Sequence, residues 1–159
     1  MNRFAKAFVT ASVLGGSLFV SNPAQANPTI TVSSTTSNGT YTVGQTVNVT
    51  ITFSQSVYLT GYPTITLETG PTDRTVFCSG SNSESAVTSL SCSYTVQVGD
   101  RSTDLDYQSS GAILFNQSGQ KISLTAGGPA FDLALPAPGA TGSLSNGKAL
   151  VINGSGEDE

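Results

Sequence analysis

From Thr46 to Phe53 apolar and polar side chains alternate without a break: Val47, Val49, Ile51 and Phe53 on one side, Thr46, Asn48, Thr50 and Thr52 on the other. A period of two is that of a β-strand with one buried and one wet face. A second stretch repeats it, with Cys92, Tyr94, Val96 and Val98 set against Ser91, Ser93, Thr95 and Gln97. Shorter segments of β-branched or apolar residues predict further strands at Thr29 to Val32, Thr64 to Leu67, Thr75 to Cys78, Leu90 to Val98, Ala112 to Phe115, Lys121 to Leu124, Phe131 to Leu135 and Ala149 to Ile152. Between them stand turn signals: Asn38-Gly39, Gly61-Tyr62-Pro63, Gly70-Pro71, Gly99-Asp100, Gly127-Gly128-Pro129 and Asn146-Gly147. After the first 26 residues no window carries a helical period of useful length. Many short strands punctuated about every ten residues predict an all-β chain, an antiparallel two-sheet sandwich or a barrel.

The beginning of the chain follows another pattern. Arg3 and Lys6 precede a mostly apolar run from Ala7 to Val20, and Ala24-Gln25-Ala26 offers small residues where a signal peptidase cuts. This predicts a cleavable signal peptide over residues 1–26, with cleavage after Ala26. The run is shorter than the roughly 20 residues that span a bilayer, and no later stretch predicts a transmembrane segment. The remaining chain from Asn27 carries four basic against ten acidic residues, suits one domain over residues 27–154, and ends in a flexible acidic tail over residues 155–159.

Export gives the two cysteines a meaning. Cys78 and Cys92 each continue an inward alternation and flank a segment opening with Ser79-Gly80-Ser81-Asn82-Ser83, which predicts a hairpin loop. In an oxidising compartment the expectation is a disulfide between adjacent antiparallel strands, rather than a redox pair lacking the C-x-x-C spacing.

Composition then removes function classes. The 159 residues contain no His and no Trp, which excludes a Ser-His-Asp triad, a Cys-His pair and the usual His-bearing zinc or copper sites. Six Lys plus Arg against ten Asp plus Glu, a net charge of −4, give no basic surface for nucleic acid. Glu68, Asp73, Glu84, Asp100, Asp104, Asp106 and Asp132 show no recognisable glycosidase pairing, and Lys121 or Lys148 with a Ser is the remaining nucleophile arrangement in principle. No catalytic residue is therefore assigned, and the chain is not expected to be an enzyme.

Two groups are candidates for binding. Asp100, Asp104 and Asp106 supply carboxylates for a hard cation, calcium being the one candidate cofactor; the competing reading makes Asp104 and Asp106 the solvent-facing neighbours of buried Leu105 and Tyr107, with Asp100 closing a turn. Tyr58 and Tyr62 around Leu59-Thr60-Gly61 offer rings for stacking on sugars. Tyr107 is placed as a buried phenol tying a sandwich corner to the backbone.

Several runs together resemble a known family. They are Asn38-Gly39-Thr40-Tyr41-Thr42-Val43-Gly44-Gln45-Thr46-Val47, Ile51-Thr52-Phe53-Ser54, Thr60-Gly61-Tyr62-Pro63-Thr64-Ile65-Thr66-Leu67-Glu68-Thr69-Gly70, Tyr94-Thr95-Val96-Gln97-Val98-Gly99-Asp100, Asp104-Leu105-Asp106-Tyr107 and Ala149-Leu150-Val151-Ile152-Asn153-Gly154. Their order resembles the immunoglobulin-like repeat found in tandem in large bacterial surface and adhesin-like proteins. The resemblance implies an immunoglobulin-like antiparallel β-sandwich with Greek-key connections. It also implies a secreted, non-catalytic module whose partner is a cell-surface or extracellular protein or glycan. The chain departs from that pattern in holding a single copy, and in having a cysteine pair where apolar cross-strand partners are expected. Alternatives from other classes are a soluble polysaccharide-binding protein and a calcium-dependent surface module.

Overall fold

The computed structural model describes residues 26–79 and 85–156. All of the expected signal peptide except Ala26 falls outside these residues, as do the acidic end of the tail and most of the Ser-Gly-Ser-Asn-Ser loop. Among the described residues there are ten strands and one helical turn: β1 (Ile30–Ser34), β2 (Gly39–Thr42), β3 (Thr46–Thr60), β4 (Pro63–Leu67), β5 (Arg74–Ser79), β6 (Ala86–Thr95), β7 (Arg101–Ser102), β8 (Ile113–Phe115), β9 (Lys121–Ser123), α1 (Leu144–Gly147) and β10 (Leu150–Asn153). Apart from that turn the described residues are all-β, as the alternation predicts.

β3 organises the larger sheet, which runs β1-β3-β6-β5-β4-β8 with β9 also on β3. The alternation sets its register. Val47, Val49 and Ile51 lie opposite Tyr94, Cys92 and Leu90 of β6, while Ile51 and Phe53 lie opposite Val32 and Ile30 of β1. All of these are buried. A slip by one residue would send every one of them to solvent, at roughly 1.5–3 kcal/mol for each large side chain.

The outward rows are Thr31 beside Thr52, Ser33 beside Thr50, Asn48 beside Ser93 and Thr46 beside Thr95. Past Phe53 the strand continues instead of ending. A bulge shifts its pairing from Thr52–Ser89 to Val57–Val87, and the bent second half takes β9 as a partner through Tyr58–Ser123 and Leu59–Ile122. Only Gly61 and Tyr62 then separate β3 from β4, although β4 stands three strands away along the sheet. The sheet therefore curls back on itself.

The smaller sheet has the order β2-β10-β7. Its β2–β10 pair is parallel, with Leu150 to Asn153 alongside Gly39 to Thr42, the exception to the antiparallel pairing expected throughout. Such a pair needs a long connection, and here it is nearly the whole domain. Both sheets contribute to one core, in which Tyr94, Tyr107, Ile51, Leu59, Leu105 and Leu150 are among the largest fully buried side chains.

The expected strand at Phe131–Leu135 does not join a ladder. Phe131 N donates to Ile122 O and Leu135 N to Ser110 O, while the alternation survives as half-buried Phe131 and Leu133 and buried Leu135. Pro129 and Pro136, which have no N–H to give, bracket it. The Asn146-Gly147 turn lies inside α1, whose N-cap Ser143 accepts from Asn146 N at 3.4 Å.

Ile30 and Gly154 lie at opposite ends of the larger sheet. Ile30 sits opposite Phe53, whereas Gly154 is held beyond the start of β3 and the end of β6, donating to Asp100 O and accepting from Gly99 N. A Cβ on Gly154 would press into the backbone of Gln97 and Asp100, so only glycine fits there. The stretch of β3 between these ends, seven residue steps, covers about 23 Å.

Candidate interaction surface

Cys78 and Cys92 are directly opposite each other on β5 and β6 and form the expected disulfide, with Cα atoms 4.0 Å apart and both residues buried. Its position has mechanical weight. Among the described residues β5 and β6 pair at Cys78–Cys92 and Ser79–Ser91, so the bond lies across that seam of the curled sheet.

Beyond that seam the outer face of β5, β4 and β8 carries an apolar cluster. Phe77 and Leu114 are both in register with Thr64, one from each side, and they are 67% and 55% exposed. Thr64 is covered between them, and its hydroxyl donates to Leu114 O at 3.2 Å. Next along the face the Thr66 and Thr75 hydroxyls meet at 3.0 Å. Tyr62, two residues before Thr64, is 44% exposed. The outward positions Thr64, Thr66, Thr75, Phe77, Ser79 and Leu114 include no charge.

Neither Phe77 nor Leu114 was singled out by sequence, yet the signal was there. Val76-Phe77-Cys78 and Ile113-Leu114-Phe115 are three apolar residues in a row, and a strand with only one face on the core buries alternate ones.

The two tyrosines proposed for sugar stacking lie on different ladders. Tyr58 is half-buried in β3 between Ala86 of β6 and Ser123 of β9, whereas Tyr62 stands in the turn into β4. Only Tyr62 borders the exposed cluster.

The three aspartates have three separate environments. Asp100 is buried; its Oδ2 accepts from the Tyr94 hydroxyl at 2.6 Å and from Gln97 N at 2.9 Å, and its Oδ1 from Arg74 Nε at 2.8 Å. Burial alone would raise its pKa, but the bonds from Tyr94, Gln97 and Arg74, with the guanidinium charge, outweigh it and hold the carboxyl below the ordinary range. Burial, and then the facing carboxylate, push the Tyr94 phenol far upward.

Asp106 is buried as well, against the expectation of a solvent-facing side chain. Its Oδ1 accepts from Tyr107 N, and its Oδ2 from Gly139 N at 3.0 Å and Ser145 Oγ at 2.6 Å. The alternation fails there because β7 stops at Ser102 and the chain onward is irregular, so Leu105, Asp106 and Tyr107 are all buried in succession. Asp104 is exposed. Among the described residues no group of three or more His, Cys, Asp or Glu is arranged to hold a metal ion. Tyr107 takes the expected structural place: its hydroxyl donates to Pro136 O at 2.6 Å, and burial together with nearby Asp106 pushes its pKa up to about 12.

Shallow depressions lie on the smaller sheet. One of about 460 Å³ is lined by Thr40, Arg101, Ser102, Thr103, Val151, Ile152 and Asn153, and a neighbour of about 310 Å³ by Thr42, Val43, Asn153 and Ser155. Ser-x-x-Lys spacing occurs twice, at Ser118/Lys121 and Ser145/Lys148. In the second pair the Ser145 hydroxyl donates to Asp106 and Lys148 Nζ donates to Thr36 O at 2.9 Å, while Lys121 Nζ points to Gly127 O at 3.4 Å. Among the described residues no helix is long and apolar enough to cross a membrane. No family model, no curated protein and no solved structure matches the chain.

Proposed function

We propose that the chain is an exported, non-catalytic immunoglobulin-like β-sandwich that works by contact, as a cell-surface or extracellular interaction module. The observation that carries this reading is the exposed Phe77–Leu114 cluster on an uncharged sheet face, since large apolar side chains held out of the core by register are what interaction surfaces are built from. The disulfide at the β5–β6 seam supports an oxidising destination. Two sheets sharing one core, a parallel edge pair formed by an early and the last strand, and a buried phenol tied to the backbone support the sandwich. The fold by itself assigns no activity, so the argument rests on the surface.

The test has two parts. Expressed as the full chain in a bacterial host, the protein should be recovered outside the cytoplasm with Asn27 as its first residue and with both cysteines resistant to alkylation until reduced. Labelled and added to intact bacterial cells or to extracellular matrix, it should bind saturably. Retention in the cytoplasm with an intact N-terminus, or the absence of saturable binding to either surface, overturns the proposal.

A further inference from the structure

We infer that the outer face of β5, β4 and β8 is a binding platform for neutral polysaccharide, an inference that rests on the contact-module reading and gives it a ligand class. Phe77 and Leu114 share Thr64 as their register partner, so their Cα atoms stand two strand spacings apart, about 9.6 Å. That separation is close to the length of a disaccharide unit. An extended sugar chain laid across the strands would rest alternate rings on the Phe77 ring and the Leu114 side chain. Phe77 is two-thirds exposed, and the strand ladder on both sides of β5 fixes its backbone, so little order has to be gained on binding. The C–H faces of pyranose rings are apolar and match such a platform, while their hydroxyls need partners within reach. The Thr66–Thr75 hydroxyl pair supplies these on the same face, while Ser79 Oγ is engaged with Ser91 O and Ser91 N. Tyr62, exposed at the start of β4, adds a phenol at its border.

Charge narrows the ligand class. The outward residues of the face offer no cation to a carboxylated or sulfated polymer, to nucleic acid or to an anionic lipid headgroup. The nearby Arg74 guanidinium is bound to Asp100. Glu68, just past the end of β4, is already an acceptor for Gly70 N. Asp73, two residues before Thr75, holds a buried Oδ1 with no hydrogen-bond partner among the described residues, so the charge bordering the face is acidic and repels anionic polymers.

The experiment is retention of the purified disulfide-bonded protein on insoluble cellulose, chitin and β-1,3-glucan, with alginate and heparin as anionic counterparts. The wild type should be retained by at least one neutral polymer. Phe77→Ala should bind about tenfold more weakly, the equivalent of one aromatic contact of about 1.4 kcal/mol; Phe77→Tyr should restore binding, and Leu114→Ser should weaken it. Equal melting midpoints for the wild type and the variants establish that the fold is intact. No retention on any neutral polymer, equal retention of wild type and Phe77→Ala, or retention on the anionic polymers alone overturns the inference. Saturable binding to cells that survives enzymatic removal of neutral glycans but is lost on the Phe77→Ala change would overturn it while leaving the contact-module reading standing. Absence of binding to both cells and polymers removes both.

Discussion

Replacing Asp100 with Asn keeps the size of the side chain and removes its charge. The carboxylate receives three donors, the Tyr94 hydroxyl and Gln97 N on Oδ2 and Arg74 Nε on Oδ1. An amide has one acceptor oxygen, so if it serves Tyr94 and Gln97, its NH₂ group confronts the Arg74 N–H. Each hydrogen bond to a charged group contributes about 1.5–3 kcal/mol net. Losing one and weakening two would approach the 3–5 kcal/mol seen on breaking a buried pair. The Arg74 side chain is 24% exposed and recovers part of its hydration, which favours the lower end, about 3 kcal/mol. At roughly 4 °C per kcal/mol for a domain of this size, the midpoint should fall by about 12 °C.

The substitution also has a pH signature. The folded pKa of Asp100 lies below its unfolded value of about 3.9, so the wild type holds this stabilisation above that pH and loses it as pH falls. In D100N the acid-side decline should flatten. Urea unfolding at neutral and acidic pH measures both effects. A D100N protein within about 1 kcal/mol of wild type at pH 7, or one with an unchanged acid decline, refutes the reading that Tyr94, Gln97 and Arg74 hold Asp100 as a stabilising buried carboxylate.

Replacing Cys78 and Cys92 by Ala should cost about 3 kcal/mol for a ring of about 15 residues, read as a lower urea midpoint; an unchanged midpoint would mean the β5–β6 seam holds without its staple. Of the five tyrosines, Tyr94 and Tyr107 should ionise late in a spectrophotometric titration. Because their folded pKa values lie above the ordinary value of about 10, the stability they confer is intact below that pH and is lost as pH rises toward about 12; Tyr94 and Tyr107 phenols that ionise near pH 10 would contradict the packing. Calcium and EDTA should leave the melting midpoint unmoved, since Asp100 and Asp106 already accept protein donors on both oxygens. A rise of several degrees with calcium would contradict this.

What could be read from the sequence was local and periodic. Val47, Val49 and Ile51 face Tyr94, Cys92 and Leu90 because both alternating runs turn their apolar sides to the core, a property the period of two makes visible in the sequence. The cysteine pairing followed from the same alternation. Features set by distant partners were not legible. The parallel contact of Gly39 with Leu150 joins positions more than a hundred residues apart, and nothing near Gly39 announces it. Asp104 and Asp106 were read as strand neighbours, but past Ser102 the backbone is irregular, and Gly139 and Ser145 come from far along the chain to satisfy Asp106. Phe131–Leu135 has the pattern of a strand and lacks a ladder to join. The candidate surface falls between these cases: the outward direction of Phe77 follows from Val76 and Cys78 pointing inward, whereas its pairing with Leu114 across Thr64 required the sheet order.

The central claim is that this stapled domain acts outside the cytoplasm by contact through the Phe77 face. Saturable binding of the labelled, disulfide-bonded protein to intact bacterial cells and extracellular matrix, measured side by side with the Phe77→Ala and Leu114→Ser double variant, tests it most directly. The account predicts saturation for the wild type and at least a tenfold loss for the variant at an unchanged melting midpoint. Wild-type protein that binds neither surface, or a folded variant that binds as well as wild type, would contradict it.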